Sequence, residues 1–231
     1  MRMKPLVLFD IDGTLVMTGG VGKRAVNRVF VELFGVEDAW DHYNPFGKTD
    51  PMIVQDIAMR CLQRSLSLEE VAEVFRRYVR YMEETIGDDQ RFRVLPGVEE
   101  VLQRLQREEY PVGLATGNVR ATAWLKMRRA GLERYFGCGG FGDDSPQRGE
   151  LVARAIERAA KATGRAFAGH QVVLVGDAAQ DIEAARTVGA RAVAVATGRL
   201  AVDALQALRP DLVMESFAES EAFWRLLEAV V

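Results

Sequence analysis

Short apolar runs alternate with stretches whose apolar residues recur every three or four positions. "PLVLFDI" (5–11), "PVGLAT" (111–116), "QVVLVGDAAQD" (171–181) and "ARAVAVATG" (190–198) are runs of the first kind. They are too short for helices and apolar on both alternating faces, as buried strands are. "YFGCGGFGDD" (135–144) holds a further short strand, and "DLVME" (211–215) reads as an edge strand. Between them, "VLPGVEEVLQRLQREEY" (94–110) predicts a turn and a helix. "RATAWLKMRRAG" (120–131) predicts a helix closed by Gly131, "RGELVARAIERAAKATG" (148–164) one closed by Gly164, and "IEAARTVGA" (182–190) another. Strands separated by amphipathic helices predict an α/β fold, a Rossmann-like parallel sheet with helices on both faces.

One block breaks this rhythm after the first strand. "GVGKRAVNRVFVELF" (20–34), "PMIVQDIAMRCLQRS" (51–65) and "SLEEVAEVFRRYVRYMEETI" (67–86) all have helical spacing. "NPFGKTDP" (44–51) punctuates the block. Thr49 is expected as N-cap ahead of Asp50 and Pro51. Ser67, with Glu70 three residues on, spells a capping box. The prediction is a core formed by residues 1–16 and 91–231, interrupted by a helical subdomain over 17–90. Such an insertion sits above the carboxyl ends of the strands.

Composition removes more function classes than it suggests. The chain has 231 residues and a formal net charge of −3. Bulk electrostatics give no reason to expect a nucleic-acid partner. The arginines of "FRRYVRY" and "MRRAG" have acids nearby and read as solvated helix faces. Two cysteines, Cys61 and Cys138, do not make a disulfide framework. The amino-terminal stretch reads as neither signal peptide nor membrane span, so the expected compartment is the cytoplasm.

The chemistry gathers at strand ends, where open parallel sheets bind ligands. The first strand ends at Asp10 and Asp12, the second at Thr116, Gly117 and Asn118. The third leads to Asp143 and Asp144, then Arg148. The fourth ends at Gly176 and Asp177, with Asp181 one helical turn later. Any one of these acids could simply cap a helix. Brought together they require a cation, and an all-oxygen set selects a hard ion such as Mg²⁺. Neither His42 nor His170 lies at a strand end, which argues against zinc. The D-x-D spacing allows one carboxylate to attack an electrophile while the other carries a proton. Thr116 offers a hydroxyl, the amides of Gly117 and Asn118 can face an anion, and Arg148 supplies a planar cation.

D-I-D-G-T (10–14), A-T-G-N (115–118) and V-G-D-A-A-Q-D (175–181) resemble three of the four signature motifs of the haloacid dehalogenase-like hydrolases. The helical insertion resembles the small cap of the phosphoglycolate phosphatase-like branch. The resemblance implies that Asp10 is the nucleophile, forming an aspartyl-phosphate, and that Asp12 protonates the leaving alcohol and then activates water. It implies Mg²⁺ held by Asp10, the backbone carbonyl of Asp12 and Asp177, with Asp181 nearby through water or as an orienter. Thr116 would bind a phosphate oxygen. Two positions depart from the pattern. The third signature is usually lysine, where "FGDDSPQRGEL" (141–151) offers Arg148, with Lys161 as fallback. Ala178 stands where threonine is common.

The expected activity is therefore Mg²⁺-dependent hydrolysis of a small phosphorylated metabolite by a monomer or homodimer. A phosphomutase would keep all the motifs. A metal-independent dehalogenase would not retain Asp12. A signalling receiver domain is about half this length, and a non-catalytic binding protein would have no need of intact Asp10, Asp12 and Asp177. A helical cap favours small substrates. Within it, Lys48 and Thr49 of "FGKTDP" (46–51) are the candidate contacts with an anionic far end, as in phosphoglycolate; the other reading of that stretch is a plain turn with a solvated lysine.

Overall fold

The structure is a computed structural model that describes residues 3–230. Six parallel strands form the central sheet: β1 (Leu6–Phe9), β4 (Val112–Ala115), β5 (Gly139–Gly140), β6 (Val172–Gly176), β7 (Arg191–Val195) and β8 (Leu212–Met214). Their spatial order is β5-β4-β1-β6-β7-β8. The "DLVME" run is thus an edge strand. β1 lies at the centre, with Leu8 opposite Gly113 of β4 and Leu174 of β6.

The continuous apolar runs follow from two covered faces. Val7 and Phe9 point into one core layer, together with Leu114, Val173 and Val193. That layer is filled by α4 (Val98–Arg107), α5 (Arg120–Ala130) and α9 (Glu221–Ala229). Leu6 and Leu8 point the other way, onto α6 (Arg148–Thr163), α7 (Ala179–Thr187) and α8 (Val202–Ala207). A strand buried on both sides has no polar face to alternate with. Burial at roughly 25 cal/mol per Å² of apolar surface makes these two layers the main source of cohesion.

The insertion contains α1 (Val21–Phe34), α2 (Asp50–Leu62) and α3 (Leu68–Thr85). Where the chain leaves and re-enters the core, β2 (Val16–Met17) pairs antiparallel with β3 (Arg93–Val94). The two crossings are therefore fastened side by side, a feature that two residues per strand are too few to announce in sequence. The Ser67 capping box forms as its spacing predicts: the Ser67 hydroxyl accepts from the Glu70 amide at 3.2 Å, and the Glu70 carboxylate accepts from the Ser67 amide at 2.8 Å. Thr49 occupies the N-cap position of α2, but its hydroxyl caps nothing; it is buried without a partner. The loop is pressed onto the core instead, with the Asp50 amide donating to the Gly117 carbonyl at 2.8 Å. No helix among the described residues is long and apolar enough to cross a membrane.

Candidate active site

Asp10 follows β1 directly, and its amide donates to the Val175 carbonyl at 2.9 Å. The chain then turns tightly, with the amides of Leu15 and Val16 both donating to the Ile11 carbonyl. Gly13 makes this turn at φ +81°, and a Cβ there would lie 2.5 Å from the Asp177 carboxylate. Only glycine meets both conditions without strain. Asp177 follows β6 and Asp181 lies in the first turn of α7, so the ends of two neighbouring strands bring three carboxylates together. One oxygen each of Asp10, Asp177 and Asp181 lie within 4.8 Å of one another, and all three residues are buried.

Like charges this close are costly in a low dielectric. Burial pushes Asp177 up to about 8, with Asp10 and Asp181 adding repulsion. Burial also pushes Asp10 up to about 6, and Arg148 only partly offsets it. Arg148 lies 3.0 Å from Asp10 Oδ1 and 2.6 Å from Asp181 Oδ1, and its Nε donates to Asp181 Oδ1 at 2.8 Å. One arginine against three buried carboxylates leaves excess negative charge. An all-oxygen set of this size fits a divalent cation.

The second acid of D-x-D takes a different course. The Asp12 carboxylate turns toward α5, where the Lys126 ammonium bonds both its oxygens at 2.9 and 2.7 Å. Asn118 Nδ2 donates to Asp12 at 2.7 Å and to the Thr116 hydroxyl at 2.8 Å. Lys126 also donates to Asn118 Oδ1. Thr116 thus has its oxygen engaged and its own proton available to an acceptor in the cavity. Lys126 was not among the residues expected from sequence. Its signal was its place on the apolar face of α5, four residues after buried Thr122 and beside buried Met127. A lysine only 4% exposed needs a partner of opposite charge.

Asp143 and Asp144 do not join the cluster, contrary to the reading of the third strand end. Asp143 accepts from the Arg120 amide at 2.9 Å, serving the start of α5. Asp144 accepts from the Phe141 amide at 2.9 Å and pairs with Arg158 at 2.5 Å. Both acids are occupied by local backbone and a salt bridge, so neither is free to face the sheet end.

The insertion closes over these groups and leaves a cavity of about 340 Å³. Asp10, Asp12, Thr116, Gly117, Asn118, Arg148 and Asp177 all line it, and Lys48 does so from above. The Lys48 ammonium is bonded to Asp56 at 2.6 Å. Thr49 lies behind this wall, not on it. A Cβ on Gly117 would come within 2.6 Å of the Lys48 carbonyl, so the missing side chain is what lets the loop approach. The N-cap of α5 is Val119, which has no side-chain acceptor. The Asp50 carboxylate of the insertion supplies one, accepting from the Val119 amide at 3.0 Å.

Burial pushes Asp50 up to about 6 from 3.8, Lys126 only partly countering it. A carboxylate raised on folding contributes full stability below its unfolded pKa and loses it as pH rises through the folded one. Asp50→Asn keeps the acceptor and removes the charge. Its melting temperature should match wild type near pH 4 and exceed it at pH 8, by the equivalent of roughly 1–3 kcal/mol. A difference independent of pH across that range would show that the Asp50 charge is not under strain.

The family model of the haloacid dehalogenase-like hydrolases matches residues 4–189. The "Probable phosphatase IndB" of Dickeya dadantii is 28% identical over 225 residues, covering 94% of this chain and 92% of that protein. A phosphoglycolate phosphatase of Agrobacterium fabrum is 25% identical over 217 residues, covering 94% of this chain and 90% of that one. Among solved structures, CbbY of Rhodobacter sphaeroides in complex with phosphate superposes with a TM-score of 0.70 at 19% identity, covering 95% of this chain and 97% of that one. That likeness speaks for the fold. The signature acids, the buried carboxylate group and the match over most of the chain agree: the chain belongs to the haloacid dehalogenase-like hydrolases, with a helical insertion after the first strand.

Proposed function

We propose that this hydrolase is a Mg²⁺-dependent phosphatase of a small organic phosphomonoester, with phosphoglycolate as the leading candidate. The observation that carries the reading is the division of D-x-D: Asp10 faces a buried carboxylate cluster while Asp12 is held apart by Lys126 and Asn118. Asp10 attacks phosphorus and forms an aspartyl-phosphate, and Asp12 gives a proton to the departing alkoxide. Asp12 then takes a proton from water as that water attacks the aspartyl-phosphate and frees Asp10. Lys126 and Asn118 fix where the Asp12 carboxylate points through both half-reactions. Arg148 stands in for the family's lysine against a phosphoryl oxygen, and the Thr116 hydroxyl and the amides of Gly117 and Asn118 address the others. Mg²⁺ on Asp10, the Asp12 carbonyl and Asp177, with Asp181 beside them, would neutralise phosphoryl charge.

A covered cavity of about 340 Å³ suits a small metabolite rather than a phosphoprotein. Lys48 remains a proposed contact for the remote end, on condition that a substrate anion competes with Asp56. The direct test is phosphate release from a panel of small phosphomonoesters, with and without Mg²⁺. The acid role has its own signature. Asp12→Asn should slow an alkyl phosphate about a hundredfold more than an activated aryl phosphate, whose leaving group needs no proton. Equal losses on the two substrates would remove Asp12 from the proton transfer.

A further inference from the structure

Five cations line the cavity: Lys23, Lys48, Lys126, Arg148 and Arg199. Four have their charge committed to carboxylates. Lys23 pairs with Asp41 at 2.7 Å, Lys48 with Asp56 at 2.6 Å, Lys126 with Asp12 at 2.7 Å, and Arg148 with Asp10 and Asp181. Arg199 has no carboxylate partner and no side-chain hydrogen bond among the described residues. Its guanidinium instead lies over the Phe46 ring, 4.9 Å from the centroid. An aromatic face orients a guanidinium while leaving its N–H edge and its charge available.

The position of Arg199 is tied to the reacting groups. It follows β7 on a loop whose Thr197 hydroxyl donates to the Gly13 carbonyl at 2.6 Å. The next residue, Gly198, packs against the Asp177 carboxylate so closely that a Cβ would collide with it. The loop is thus fixed to the turn after Asp10 on one side, and Arg199 reaches to the cap's Phe46 on the other. It stands between the phosphoryl end of the cavity and its roof.

We propose that Arg199 is a specificity residue that binds a second oxyanion of the substrate, a carboxylate or a further phosphate, remote from the phosphoryl group that is transferred. The assignment rests on the phosphatase reading and deepens it. It sets beside Lys48, a contact only where a substrate anion displaces Asp56, the lining cation that has no carboxylate partner among the described residues. The competing role is mechanical: through Phe46, Arg199 could only clasp the cap to the core. A clasp would serve every substrate alike.

The experiment compares wild type, Arg199→Gln and Arg199→Lys on three esters in the presence of Mg²⁺. These are phosphoglycolate, a small bisphosphate, and 4-nitrophenyl phosphate, which carries no second anion. A charge-assisted contact predicts that Arg199→Gln lowers kcat/KM for an anionic ester, relative to 4-nitrophenyl phosphate, by about ten- to a hundredfold. The change should fall chiefly on KM, and Arg199→Lys should restore part of it. Which of the two anionic esters suffers more identifies the oxyanion as carboxylate or phosphate. Equal losses on all three esters would overturn the proposal and leave the clasp. So would a wild type that prefers the ester without a second anion. Wild type that releases phosphate from none of the esters would overturn the phosphatase reading, and this assignment with it.

Discussion

Asp10→Asn should abolish turnover and leave the fold intact. The substitution keeps the shape of the side chain and removes the nucleophilic oxygen, so kcat should fall by at least about a thousandfold, the order seen when an attacking group is deleted. Stability should not fall with it. Asp10 is a buried carboxylate already pushed up to about 6, and it contributes repulsion to Asp177. Replacing it relieves that repulsion, while Arg148 retains Asp181 as a partner at 2.6 Å. Without added metal, the melting temperature at pH 8 should therefore equal or exceed that of wild type. Circular dichroism melts and a steady-state assay on the same preparation separate the two effects. Retention of more than a few per cent of wild-type kcat would show that another group attacks phosphorus.

What could be read from the sequence was whatever short segments decide for themselves. The Ser67 capping box is such a case, because donor, acceptor and spacing all lie within four residues. The central strand is another, since "LVLF" is buried whichever way it faces. Its apolar uniformity, however, hid which residues face which layer; Val7 and Phe9 were separable from Leu6 and Leu8 only once helices covered both sides. Thr49 shows the limit from the other direction. Its N-cap position was legible, but the docking of Asp50 on Gly117 and Val119 is tertiary, and it overrode the local hydroxyl cap.

Within the site, Asp10, Asp177 and Asp181 were legible because each ends or follows a buried strand. Asp143 and Asp144 have the same local appearance and came out otherwise. Their fate was decided by partners on α5 and α6 that no local pattern names. Arg148 was found by its place before a helix. Lys126 was overlooked because it sits in a run with Arg128 and Arg129 that resembles a solvated face. Helical phase distinguishes it: Lys126 is buried beside Met127, whereas its arginine neighbours are exposed. Arg199 carries no motif at all, and only the cavity sets it apart.

Addition of Mg²⁺ should stabilise the protein by an amount that grows with pH, and its removal should abolish activity. Burial holds Asp177 near 8 and Asp10 near 6, both above the ordinary 3.8. For such groups the metal-free protein keeps its full stability at low pH and loses it as pH rises through those values. A divalent cation binds the charged carboxylates, so protons compete with it at pH 5.5 and scarcely at pH 8.5. At a hundredfold excess over Kd the stabilisation is about 2.7 kcal/mol. For a chain of this size that is a rise in Tm of roughly 5–10 °C at the alkaline end, shrinking toward zero at the acid end. Proton release per Mg²⁺ bound should run the opposite way, largest near pH 5.5 and falling toward zero as the carboxylates ionise by themselves at pH 8.5. Ca²⁺ should restore the melting temperature better than it restores turnover, because its longer and looser coordination leaves the phosphoryl group misplaced against Asp10. A Tm increment that does not depend on pH would show that the cation binds elsewhere than the Asp10, Asp177 and Asp181 group. Undiminished turnover after exhaustive chelation would take the metal out of the reaction altogether.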